Sequence, residues 1–126
     1  MFDKKAYMRE YRKKYVESHR KSSRLYAKRC AIKLRMEIIS HYGGHCACCG
    51  EDQIDFLTID HINNDGAKAR REGIYKTGSR FYIWIKKSGF PEDLQVLCRN
   101  CNWSKFSNGG HCVHETMTMK LMKRTG

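Results

Sequence analysis

Four cysteines stand in two Cys-x-x-Cys pairs, Cys46/Cys49 and Cys98/Cys101. Between the pairs lies Asp60-His61, and Asn102 follows the last cysteine directly. Thiolates at i and i+3 of a tight turn can both reach one ion, and two such turns complete a tetrahedral zinc. Gly50, after the first pair, suits that turn because it lacks a side chain. Cys49 and Cys98 are separated by 48 residues, far more than the ~15–20 of a simple zinc ribbon. Something is therefore built between the knuckles. Cys48 would either replace a neighbour as ligand or be a spare buried thiol, and the spare reading is preferred. Cys30 reads as a small packing residue. His111, Cys112 and His114 offer three ligands close together with no fourth, so they read as a tail loop packed on the core rather than a closed metal site.

Asp60, His61 and Asn102 carry a different chemistry. Neutral imidazole accepts a proton near pH 7, so His61 suits a general base. The Asp60 carboxylate and the Asn102 amide carbonyl are hard oxygen ligands that suit magnesium or manganese. Asn102 falls in the first turn of an expected helix, whose dipole favours an anion. Lys105, one turn on, is placed to touch a phosphate. A base, a cation site and a held phosphate are what phosphodiester hydrolysis needs. An Asp-His pair alone is more often a surface pair or a structural hydrogen bond. Its position between metal knuckles is what singles it out.

The surrounding chain reads as equipment for positioning these groups. The 126 residues suit one small domain with an arm. Residues 1–40 hold 13 Lys/Arg against four Asp/Glu, most of the chain's net charge of +12. That excess favours nucleic acid as partner over an acidic protein or a membrane surface, and the arm reads as lying along or in a groove of double-stranded DNA. Tyr7, Tyr11 and Tyr15 recur on one helical face and read as packing. Ser18–Ser23 marks an interruption, with Ser22 or Ser23 as a new N-cap. A second helical pattern runs through Leu25, Ile32, Met36 and Ile39 to a stop at Gly43-Gly44. Lys13, Lys14, Arg20, Lys21, Arg24, Lys28 and Arg29 on the arm, with Arg70, Arg71 and Lys105 beyond it, are the candidate DNA contacts. Phe56–Ile62 reads as a strand, 63–66 as a turn and then a basic loop, Ser79–Lys87 as a short helix, Leu94–Leu97 as a strand, and 99–107 as a helix. The expected division is an arm over 1–42, a core over 43–115 and a tail over 116–126. No apolar run approaches a membrane span and no apolar segment marks a secretory leader. With cysteines in metal-type spacing, the expected setting is intracellular and cytoplasmic, including that of a virus-encoded protein in its host cell.

From Cys46 to His114 the chain resembles the zinc-knuckle HNH endonucleases often found in phages. The matching pieces are Cys46-Ala-Cys-Cys49-Gly50, Thr58-Ile-Asp60-His61-Ile-Asn63-Asn-Asp-Gly66, Phe90-Pro91, Leu94-Gln-Val-Leu-Cys98-Arg-Asn-Cys101-Asn102 and Gly110-His-Cys112-Val-His114. They cover about 70 residues. The resemblance implies an α+β fold with a zinc-stapled, treble-clef-like ββα-metal core. It implies His61 as general base and Asp60 and Asn102 as ligands of one catalytic divalent ion. It implies nicking or double-strand cleavage of DNA leaving 5′-phosphate and 3′-hydroxyl ends, by a monomer or homodimer. Asn102 stands where the family has its last His, Val113 stands where relatives often have Pro, and Asp93 falls at or near the middle Asn that orients the base. Two rival readings use fewer of these residues. A zinc-dependent DNA-binding protein without cleavage needs only the cysteines and the arm. An assembly factor, for instance in viral DNA packaging, would bind a large protein assembly instead of bare DNA.

Overall fold

The computed structural model describes residues 1–124, so the last two residues of the expected 116–126 tail lie outside the described residues. Helices α1 (Lys4–His41), α2 (Gly66–Arg71), α3 (Ser79–Lys87), α4 (Arg99–Ser107) and α5 (Val113–Arg124) accompany strands β1 (Leu57–His61) and β2 (Leu94–Cys98). Among the described residues, no helix is long and apolar enough to cross a membrane. Packing divides the chain into Met1–Lys33 and Leu34–Gly126.

Met1–Lys33 is helical from Lys4 onward and exposed nearly throughout. Asp3 caps it: Oδ1 accepts the N–H groups of Lys5 and Ala6 at 3.0 and 3.1 Å. The expected interruption at Ser18–Ser23 does not occur. The stretch holds neither Gly nor Pro, serine costs a helix only a few tenths of a kcal/mol relative to alanine, and Glu17 faces Lys21 one turn on. The tyrosines expected to pack are exposed instead, with the Tyr7 and Tyr11 rings stacked on each other at 6.5 Å. Cys30 is exposed as well, rather than a packing residue.

In the second unit, α1 ends on the glycine pair. Gly44 N–H bonds Ile39 O and Gly43 N–H bonds Ser40 O, both glycines at positive φ, which is the paired-bond stop that glycine permits. Ile38 and Ile39 are fully buried here, so the last turns of the expected 1–42 arm belong to the core. Arg35 donates to the carbonyls of Ile54 and Leu57 and ties this end of α1 to the entry of β1.

β1 and β2 pair antiparallel, with Leu57 opposite Cys98 and Asp60 opposite Gln95. Leu57, Ile59 and Val96 are buried with Ile38, Ile39 and Ile85. Thr58 and Asp60 alternate to the other face, where α4 meets them. Asn102 Nδ2 donates to Thr58 Oγ1 at 3.0 Å and Lys105 Nζ to Asp60 Oδ2 at 2.6 Å. Residues two apart on the strand thus meet residues three apart on the helix. The fold is α+β, a two-stranded sheet among helices, as expected.

Two elements differ from expectation. The basic loop after residue 66 contains α2, whose six residues carry no apolar stripe that a sequence pattern would reveal. The tail is helical over Val113–Arg124.

Candidate functional site

The second knuckle is the corner where β2 becomes α4. Cys98 is the N-cap of α4, and its Sγ accepts the N–H of Cys101 at 3.4 Å. The first knuckle repeats the pattern, with Cys49 N–H on Cys46 Sγ at 3.5 Å. It is stitched to the sheet by Ala47 N–H on Val96 O and turns at Gly50, whose φ is +83°. These ties bring the sulfurs of Cys46, Cys49, Cys98 and Cys101 within 4.8 Å of one another. Cys49 Sγ lies 3.7 Å from Cys98 Sγ; a zinc tetrahedron with bonds near 2.3 Å has sulfur–sulfur edges of about 3.8 Å. Burial, reinforced by the neighbouring sulfurs of Cys98 and Cys49, pushes the Cys101 thiol up. Burial pushes Cys46 up as well, but backbone hydrogen bonds from Cys49, Cys98 and Cys48 outweigh it and hold that thiol at about 6. A dication resolves the conflict, because it stabilises every thiolate it binds. The cluster fits a metal such as zinc.

Beside it, Asp60, His61, Asn64, Arg70, Asn102 and Lys105 line an open cleft of about 260 Å³. Asp60, His61 and Asn102 are thus brought together, with two cations next to them. Both donors to Asp60, Gln95 Nε2 at 2.9 Å and Lys105 Nζ at 2.6 Å, fall on Oδ2. Among the described residues no hydrogen bond falls on Oδ1. Asn102 spends its amide nitrogen on Thr58, which leaves the amide oxygen. Both are hard oxygen donors by type.

Lys105, expected to touch a phosphate, lines the cleft but turns its ammonium toward Asp60. It is 7% exposed, and its ammonium also bonds His61 O and Ile62 O. Arg70 reaches the cleft from α2; Arg71, also on α2, is not among the residues that line it. The seven arm candidates, Lys13 to Arg29, are all exposed on α1. Asp93 accepts Ile62 N–H through its backbone carbonyl and does not line the cleft.

The surroundings of His61 contain the residues that sequence reading missed. Tyr75 Oη lies 2.6 Å from His61 Nε2 and donates to Gly66 O at 3.3 Å. The hydroxyl has one proton. With that proton on Gly66 O, Nε2–H donates to Tyr75 and Nδ1 keeps its lone pair, the form a base requires. Phe81 stacks on the same imidazole at 5.6 Å. Burial depresses the His61 pKa below its ordinary value, while the charges of Asp65, Asp60 and Asp93, in that order, oppose the shift. Asp65 therefore weighs more on His61 than Asp93 does. No periodicity links Tyr75 or Asp65 to His61, so no sequence signal pairs them. Gly66 is the exception, because it stands in the expected turn. A Cβ there would fall 2.5 Å from His61 Nδ1. Gly66→Ala should therefore displace the imidazole and cost about 1–3 kcal/mol by overpacking. A urea melt that matches wild type, with unchanged His61 ring shifts by NMR, would refute this.

Compared with protein-family models, with curated proteins and with solved structures, the chain matches none.

Proposed function

We propose that the protein is a metal-dependent HNH-type DNA endonuclease with a ββα-metal core. The observation that carries the reading is the cleft in which Asp60, His61 and Asn102 converge beside a four-cysteine cluster. Asp60 Oδ1 and the Asn102 amide oxygen would hold magnesium or manganese, whose chemistry when bound is to polarise the phosphoryl oxygen and stabilise the leaving oxygen. His61 takes a proton from the attacking water as the new P–O bond forms. The P–O3′ bond breaks and the departing O3′ takes a proton from solvent water, leaving a 5′-phosphate and a 3′-hydroxyl. Tyr75 fixes the imidazole, Lys105 neutralises Asp60 Oδ2, and Arg70 faces the phosphate. The test is plasmid cleavage by the purified chain with magnesium or manganese, against an EDTA control. Metal-dependent conversion of supercoiled to nicked or linear plasmid is expected.

One observation favours a second reading, a zinc-dependent DNA-binding protein that does not cut. The buried Lys105 ammonium already compensates the charge of Asp60, as it would in a purely structural pair. Tight DNA binding with no cleavage under either metal would select that reading.

Under both readings the exposed basic helix of Met1–Lys33 supplies affinity through phosphate contacts. Log Kd should rise with log salt at about 0.9 per phosphate neutralised. Removing residues 1–33, and not 1–40, should flatten that slope while leaving Ile38 and Ile39 in the core. An unchanged slope in a gel-shift titration would take the arm out of the DNA interface.

A further inference from the structure

Cys101 belongs to two ligand sets at once. Besides the knuckle set, the metal-binding atoms of Cys48, Cys101, Cys112 and His114 also lie within 4.8 Å of one another. His114 Nδ1 is 3.4 Å from Cys112 Sγ, 3.5 Å from Cys101 Sγ and 3.6 Å from Cys48 Sγ. A tetrahedral zinc with Zn–S near 2.3 Å and Zn–N near 2.05 Å has nitrogen–sulfur edges of about 3.6 Å. One imidazole nitrogen equidistant from three sulfurs is the outline of such a site.

We propose that the chain binds two zinc ions, the second held by Cys48, Cys101, Cys112 and His114, with the Cys101 thiolate bridging the pair. Each set is a complete four-ligand shell, and the two share only Cys101. Together they hold seven donors, which one tetrahedral ion cannot use. Plain core packing explains Cys112, which is 2% exposed. It does not explain an imidazole aimed at three sulfurs on the exposed side of that cysteine. The ligand that the tail lacks in sequence comes from elsewhere in the fold. Cys48 is presented by the first knuckle and Cys101 by α4. His111 stays outside, with Nδ1 facing Glu115. The segment is also oriented without metal, since Val113 N–H donates to Ser104 Oγ at 2.9 Å. The second ion would fasten the start of α5 to α4 and to the first knuckle. The second site stands whether or not the cleft cuts DNA.

The test is zinc content per full-length chain after gel filtration in the presence of a weak chelator, for wild type, Cys112→Ser and His114→Ala. Two ions are expected in wild type and one in each variant, with the far-ultraviolet circular dichroism retained. His114→Ala alters an exposed side chain and keeps the test valid where Cys112→Ser does not fold. Cadmium-substituted protein should give two cadmium resonances in wild type and one in His114→Ala. One ion per wild-type chain, or two ions that survive both substitutions, overturns the proposal.

Discussion

His61→Ala is expected to abolish plasmid cleavage while leaving zinc content and DNA affinity at wild-type values. A positioned general base contributes about 10²–10⁴-fold, so the residual rate should fall below the background of most plasmid assays. Two features of the site sharpen this expectation. The imidazole is partly buried, and its depressed pKa keeps it uncharged near neutrality, ready to accept a proton. It is also held from several sides, by Tyr75 Oη at 2.6 Å, by the Phe81 ring and by the backbone of Gly66. Removing it deletes no cysteine ligand and no charge from α1. A loss of cleavage in His61→Ala therefore reports chemistry rather than binding, provided gel shift and metal analysis are run on the same preparation. Cleavage by His61→Ala at the wild-type rate would remove this residue from the mechanism and with it the assignment of the cleft.

The parts of the fold that are legible in the sequence are those written in local chemistry. Cys-x-x-Cys spacing encodes a knuckle, and both knuckles form with the N–H···S bonds that the spacing allows. The short, largely apolar runs Phe56–Ile62 and Leu94–Leu97 read as strands, and strands form there and pair. What is not legible depends on contacts between distant positions. Tyr75 reaches His61 across 14 residues and Cys48 reaches His114 across 66, and neither pair leaves a periodic trace. Lys105 has a partner that its place in the sequence does not signal. A lysine one helical turn past Asn102 reads as a phosphate contact, yet its position opposite Asp60 on the paired strand draws the ammonium inward. The serines in α1 suggest a break through their capping preference, but caps act at helix ends and no competing turn residue stands there.

If the cysteine cluster holds a structural metal, as its geometry fits, a strong chelator should unfold the unit that begins at Leu34, and Cys98→Ser should do the same. The fully buried side chains of this unit include Ile38, Ile39, Leu57, Ile85 and Val96, but also Cys46, Cys101 and Cys112. Burying an aliphatic side chain contributes about 1.5–3 kcal/mol each, so those five supply roughly 10 kcal/mol before conformational entropy is set against them. A structural zinc binds with about 10–16 kcal/mol, comparable with or larger than the ~5–15 kcal/mol net stability of a whole domain. A metal held by the cluster would therefore stabilise this unit more than any single packed side chain does, and without it the small cysteine side chains would contribute only modest apolar packing. Cys98 matters most among Cys46, Cys49, Cys98 and Cys101, because its side chain both faces the cluster and caps α4, the helix that carries Asn102 and Lys105 to the cleft. Cys30→Ser is the control: Cys30 is exposed and belongs to neither ligand set, and its melting curve should match wild type. Thermal melts followed by near-ultraviolet circular dichroism, with and without a strong chelator, decide the matter. A cooperative transition that persists in the chelated protein would mean that Ile38, Leu57 and their neighbours hold the core unaided, and that the cysteine cluster is not the staple of this fold.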